Sequence, residues 1–420
     1  MLLLSVLIFV AALAVIASDR VHRTKVALLA AALVVLTGVL EQEQAIESID
    51  FNTIGLLAGM MVVVRQTEKT GLYDYIAVRA GQISGGTPFG LVLALGGVAA
   101  LLSPFLDNLT VILLIVPITF VIADTLDINP LPLVIVEVMA SNIGGTATLI
   151  GDPPNIIIAG ATGLSFMDFV RNLAPIVVVT LIVILPGLYL FYRRDLEAAP
   201  EKRDRLLALD ARASIRDPAL LRRLSPVLAG TLLAFFVHQA VHVEPATVAL
   251  TGATIMLLLS PQPIEDALEE IEWSTLFFFV ALFVVVGGLQ ETGALEKVAR
   301  GITDVTGDSF AANVLAITWV SAFASAAVDN IPFTTAMIPV VQEVQTITGN
   351  DSDTFWWALA LGADFGGNGT LIGAAANVAA AGLAERSGYP ITFLSFLKVG
   401  FAVMLCSVLL ATAYLALFYL

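Results

Sequence analysis

The chain has 420 residues, 58% of them hydrophobic and only 13% charged, with a net charge of −15 and a mean hydropathy of +0.93. A soluble domain cannot bury that much apolar surface, and an acidic chain with no basic stripe excludes nucleic acid as a partner. The single cysteine, Cys406, lies in the last apolar run, which excludes a disulfide framework and a thiolate metal site.

Ten membrane crossings are expected in chain order, near 2–17, 24–40, 51–65, 131–160 and 170–192, then 225–242, 246–260, 273–290, 354–384 and 392–418. The first run lacks the basic region that opens a signal peptide and has a counterpart in the second half, so it is read as a helix. Two further apolar segments, 88–125 and 310–347, are interrupted by Asp107-Asn108 and Asp329-Asn330. The polar stretch 193–223 is a connector, dividing the chain into a first repeat (1–192) and a second (224–420).

The halves are related by a fixed displacement of 222 residues. It carries Val26-Ala27-Leu28 onto Val248-Ala249-Leu250, Thr70-Gly71 onto Thr292-Gly293, and Ser103 onto Ser325. It also carries Asp107-Asn108 onto Asp329-Asn330, Gly144-Gly145 onto Gly366-Gly367, Thr148 onto Thr370, and Asn155 onto Asn377. If the Asp-Asn segments are re-entrant hairpins, each half crosses five times, and an odd number inverts the second half. The expected fold is therefore an all-α polytopic membrane protein of two inverted repeats, each with a re-entrant hairpin and a broken helix. With both termini extracytoplasmic, the inner loops hold Arg20, Arg23, Lys25, Arg65, Lys69, Arg79 and nine Lys/Arg from Arg193 to Arg223, against Arg171, Lys297 and Arg300 outside. That is the positive-inside bias of a plasma (inner) membrane protein.

Inverted-repeat carriers bind cargo at the midplane, between broken helices. The candidate binding residues are the hairpin tips, Asp107, Asn108, Thr110, Asp329 and Asn330, and the two glycine-rich breaks. The breaks supply Gly144, Gly145, Thr148 and Asn155, and Gly366, Gly367, Asn368, Thr370 and Asn377. An acid at membrane depth costs about 2.5–3.5 kcal/mol, so a symmetric pair suggests a purpose beyond capping the hairpin helices. Gly-Gly frees carbonyls for a ligand or lets helices pack closely. Asp152 and Asp364 break the symmetry, opposite Ala374 and Asn142, and are the candidates for ion coupling. Glu137, opposite Leu359, is a third, or else pairs with an interior polar group. His238, His242 and Glu244 read as an interfacial polar cluster without a third strong metal ligand, so no metal or other cofactor is expected. An intramembrane protease is disfavoured because the histidines lie outside the polar core, and a channel would be distinguished by unitary currents.

The run Asp107-Asn108-Leu109-Thr110, the stretch Asn142 to Asn155 with Gly-Asp-Pro-Pro-Asn, Val328-Asp329-Asn330-Ile331-Pro332-Phe333-Thr334 and the stretch Gly366 to Ala374 resemble the ion transporter superfamily. The resemblance covers nearly the whole chain and is to the ArsB/NhaD branch, most of all to the P protein (pink-eyed dilution) type of permease. It implies a homodimer whose protomers each pair a static scaffold with a moving domain that holds both hairpins, an elevator. Arsenite permeases, sodium/proton antiporters and anion carriers share that fold, and some arsenite pumps add a cytoplasmic ATPase. Related divalent-anion symporters carry Ser-Asn-Thr at the tips and Gly-Thr-Pro-Pro-Asn at the break, where this chain has acids. At 4 Å and an effective dielectric near 20 each like-charge pair costs about 4 kcal/mol, which disfavours a dianion. Asp364 in Asp-Phe-Gly-Gly resembles the Asp-x-Gly stretch of arsenite permeases. The expectation is thus a carrier, not an enzyme, for proton-coupled arsenite/antimonite efflux. Sodium/proton antiport or P protein-like anion transport are the alternatives. Nearby buried carboxylates favour proton binding, so proton and cargo would compete for them.

Overall fold

The computed structural model describes residues 1–17, 20–307 and 309–420. The first half forms α1 (Leu2–Ala17), α2 (Arg23–Leu36), α3 (Gln42–Glu47), α4 (Phe51–Glu68), α5 (Leu72–Ile83), α6 (Pro88–Leu102), α7 (Asn108–Leu126), α8 (Leu131–Gly145), α9 (Pro153–Thr162) and α10 (Phe166–Tyr192). The connector contributes α11 (Pro200–Leu207) and a 3-10 turn, Ala211–Ser214. The second half forms α12 (Pro218–Val237), α13 (Pro245–Leu259), α14 (Ile264–Glu269), α15 (Trp273–Glu291), α16 (Ala294–Thr306), α17 (Phe310–Ala327), α18 (Asn330–Thr348), α19 (Thr354–Gly366), α20 (Ala375–Arg386) and α21 (Phe393–Phe418). The described residues contain no strand. Displaced by 222, α3 falls on α14 and α7 on α18 residue for residue, and the displacement slips only at α10 and α21.

Local chemistry sets the breaks. Thr87 caps α6 ahead of Pro88, and chain reversal at the tip is fixed by Asp107, whose carboxylate accepts from Thr110 N at 2.9 Å to start α7. Asp329 repeats this, accepting from Ile331 N at 3.0 Å to start α18. The segments 88–125 and 310–347 are therefore each two helices broken at the Asp-Asn step. Pro153 opens α9 after the α8 break. Its counterpart α20 opens at Ala375, with no proline.

The Gly-Gly pairs serve contact between backbones. A Cβ on Gly144 would lie 2.4 Å from Ala100 O, and one on Gly366 would lie 2.5 Å from Ala322 O. These glycines let α6 run along α8, and α17 along α19. Gly145 and Gly367 face the carbonyls of Gly151 and Gly373 in the same way, at 2.5 and 3.3 Å.

Two bodies result. In one, α2 packs on α15 and α4 on α13, interlocking the repeats. In the other, both hairpins enclose the broken helices, with α9 on α18 and α20 on α7. Contact between the bodies is lopsided. α4 packs on α9 and α15 on α18 more closely than α15 does on α20 or α4 on α7. The connector lies along the protein as a strap: Leu196 and Leu206 are fully buried, α11 lies on α7, and the 3-10 turn lies on α5. Arg216 N donates to Thr70 O at 2.9 Å, and its guanidinium pairs with Asp74 at 2.5 Å. Burial raises the Asp74 carboxyl above its ordinary range, and Arg216 offsets part of that rise.

Candidate functional site

The hairpin tips and helix breaks meet around one acid. Asp152, with no exposed surface, ends the α8 break and begins α9. Asn108 Nδ2 donates to its Oδ2 at 2.9 Å, and Asn330 Nδ2 donates to its Oδ1 at 3.1 Å. One amide from each repeat thus holds a carboxylate that only the first repeat possesses.

A second layer of amides crosses the repeat boundary. Asn108 Nδ2 also reaches Asn142 Oδ1 at 3.1 Å. Asn142 Nδ2 in turn donates to Asn377 Oδ1 at 2.9 Å and Asn368 Oδ1 at 3.1 Å. Asn377 Nδ2 ties the second break together through Gly367 O and Thr370 O, both at 2.8 Å. Asn155 does the same in the first, donating to Thr146 O at 3.2 Å and Thr148 O at 3.0 Å. Thr148 and Thr370 hydroxyls bind the hairpin carbonyls of Pro104 and Ala326, each at 2.5 Å, so these threonines fasten tip to break.

Asp364 is the symmetry mate of Asn142 and is likewise fully buried. It faces Thr146 and Asn155, the mates of Asn368 and Asn377, and is an electrostatic neighbour of Asp152. Among the described residues neither Asp364 oxygen has a hydrogen-bond partner, and neither does Asn155 Oδ1. Where Asn142 presents an N–H to Asn377, a deprotonated Asp364 presents only lone pairs to Asn155. Asn368 Nδ2 is also buried without a partner.

A cavity of about 50 Å³ reaches this network from one end of the molecule. Asn108, Asn330 and Asp107 line it, with Arg23, Glu272 and Thr275 at the end where Arg65 and Lys69 also lie. Arg23 and Glu272 are cavity residues that sequence reasoning missed, since both read as loop charges. The signal was present in the repeat: Arg23 has Pro245 as its mate, an asymmetry as sharp as that of Asp152. At the opposite end the bodies are in contact, with Asp50 and Thr53 of the first against Gly160 of α9.

Glu137 stands apart. It is fully buried and takes the Thr119 hydroxyl of α7, and its Oε2 has no partner. The mates of this pair are Leu359 and Val341, so acid and hydroxyl occur together in one repeat only. His238 accepts from Phe166 N at 3.3 Å and its Nδ1 meets Val243 O at 2.8 Å, which occupies both ring nitrogens. Among the described residues no cluster of His, Cys, Asp and Glu could hold a metal ion.

Comparison with known proteins agrees with this architecture. A family model described as Citrate transporter matches residues 13–362. A protein of Mycobacterium tuberculosis (strain ATCC 25618 / H37Rv) named as an uncharacterized transporter is 44% identical over 425 residues, covering 100% of this chain and 99% of its own. The P protein of Homo sapiens is 33% identical over 486 residues, and the match takes in 96% of this chain and 58% of that longer protein. The crystal structure of the Alcanivorax borkumensis YdaH transporter, titled as having an unusual topology, superposes with a TM-score of 0.60 at 15% identity, covering 98% of this chain and 97% of that one. Two inverted repeats around a shared polar centre, matched along their length by these relatives, make the chain a membrane transporter of the citrate-transporter family.

Proposed function

We propose that the protein is a proton-driven antiporter that exports a small uncharged inorganic hydroxide, As(OH)3 or Sb(OH)3. The observation that carries this reading is the buried pair Asp152 and Asp364, bound or faced by amides and hydroxyls and given no cation. Two neighbouring acids at that depth cannot both stay charged at tolerable cost. A proton on Asp364 supplies the donor that Asn155 Oδ1 lacks, and Asn368 Nδ2, buried without a partner among the described residues, suits a cargo oxygen. Cys406 lies in α21 outside this network, so recognition rests on oxygens and amides rather than on thiolates.

The basic end faces the cytoplasm in this reading, and both termini face the other side. The cavity then opens inward, and exchange requires the hairpin body to move against the other, an elevator stroke in each protomer of a homodimer. Proton and cargo alternate on the acid pair, which gives exchange. Sodium/proton antiport is the second reading, favoured by the excess of acids on the cavity wall, Asp107 and Glu272 against Arg23 alone. Citrate, in the family's name, meets that same excess as repulsion, and Arg23 is already engaged by Asp329.

Counterflow into proteoliposomes of purified protein tests the cargo, comparing arsenite, antimonite, sodium and citrate. Saturable arsenite or antimonite exchange supports the proposal. Exchange of sodium or citrate alone overturns it.

A further inference from the structure

Arg23 stands at the first residue of α2, in the body that pairs α2 with α15, and its guanidinium Nη1 reaches Asp329 Oδ2 of the second hairpin at 3.2 Å. The same guanidinium lies 5.1 Å from the ring centroid of Phe278 on α15, which holds it from its own body. Both side chains are largely shielded, at 24% and 11% exposure, so this is a cavity pair and not a surface one. It has no symmetric twin. Asp107 accepts from the Thr110 amide and hydroxyl, and Pro245 stands where a second arginine would be.

We propose that Arg23 is a built-in counter-cation: with the cavity open at the basic end, it takes the place on Asp329 that a second cation or proton, besides the proton on the acid pair, holds once the hairpin has moved away from α2. This rests on the reading of the protein as a carrier whose hairpins move. The pair bridges the two bodies, so a stroke that separates them must break it and leave Asp329 in need of another positive charge. On return, Arg23 displaces that charge toward the cytoplasm. It therefore makes ion release one-sided and lets the open cavity exist without an ion on Asp329. The other charged or titratable groups around Asp329 are His22 beside Arg23, Asp107 and Glu272 across the cavity, and Asp152 behind it.

The test reads the opening of the cavity without needing the cargo. A single cysteine at Met61→Cys, on the cavity wall, is placed in a Cys406→Ser background in lipid nanodiscs, and its rate of reaction with a charged maleimide is measured. Rates are taken relative to a fully exposed single cysteine in the same buffer, because the thiolate fraction sets the maleimide rate, and on that scale the wild-type pair should react alike in acid, alkaline, sodium-free and sodium-rich buffers. Arg23→Gln should slow labelling at least about fivefold in alkaline, sodium-free buffer, with recovery on adding acid or sodium chloride. Arg23→Lys should behave as wild type, and adding Asp329→Asn to Arg23→Gln should restore labelling in every buffer. Unchanged labelling of Arg23→Gln in alkaline, sodium-free buffer overturns the proposal. So does a loss that persists after Asp329→Asn, which would place the effect on His22 or on packing. Absence of arsenite exchange alongside the predicted labelling pattern would refute the cargo and leave the role of Arg23 standing.

Discussion

Asn142 donates to Asn377 across the repeat boundary at 2.9 Å, and the mate of that bond, from Asp364 to Asn155, is absent. One substitution of amide by acid therefore leaves an unfilled acceptor pair at the centre of the network. Asp364→Asn should complete the symmetry by giving Asn155 Oδ1 its donor. Thermal unfolding in detergent should show stability kept or raised by about 1 kcal/mol, the net value of a buried hydrogen bond. Asp364→Leu, which supplies no donor, should fall below both.

Asp152 takes one amide from each hairpin. Removing either should leave a buried carboxylate oxygen unsatisfied, so Asn108→Ala and Asn330→Ala are each expected to cost about 1–3 kcal/mol. Because both act on one carboxylate, their effects should not add in the double variant, which a double-mutant cycle on the unfolding midpoint measures. Additive losses would mean that the two tips act separately.

The contact at the end away from Arg23 predicts a glycine asymmetry. A Cβ on Gly160 would lie 2.0 Å from Asp50 Oδ2, whereas one on its mate Gly382 meets nothing within 4 Å. Gly160→Ala should force the bodies apart at that end and bias the protein toward the state closed at the basic end. Maleimide labelling at Met61→Cys in the Cys406→Ser background should then slow, while Gly382→Ala should not slow it. Equal effects of the two variants would contradict the lopsided contact.

The strap makes a separate prediction about stability. Gly71 and Gly293 both sit at positive φ, 79° and 71°, so alanine at either costs about 1–2 kcal/mol in backbone strain. Only at Gly71 would the Cβ also strike a carbonyl, 1.9 Å from Ser214 O in the connector. Gly71→Ala should therefore lower the melting temperature clearly more than Gly293→Ala, and it should expose the connector to protease first.

Much of this was legible in the sequence because a fixed displacement compares every residue with a known mate. Asp107 and Asp329 stood out as matched, Asp152 and Asp364 as unmatched, and the structure gathers Asp152 and Asp364 with the tip asparagines. Arg23 and Glu272 were missed because a helix-terminal charge reads as a loop charge until its neighbours in space are known. The Gly-Gly pairs, with Asn and Thr beside them, suggested a ligand ahead of a close contact, and only the Ala100 and Ala322 backbones reveal the packing. The packing of the connector was not legible, because its buried residues, among them Leu196 and Leu206, are too scattered to make a periodic pattern. Thr119, the partner of Glu137, lay eighteen residues before it, and its mate Val341 held the clue.

The central claim is that the acid pair carries the proton. It is tested most directly by arsenite accumulation in proteoliposomes under an imposed pH gradient, with arsenite counterflow measured beside it in wild type, Asp152→Asn and Asp364→Asn. The account predicts uphill accumulation by the wild type. It also predicts that at least one of the two variants loses pH-driven accumulation while keeping downhill counterflow. Full pH-driven accumulation by both variants would contradict it and move the proton to Asp107, Asp329 or Glu137.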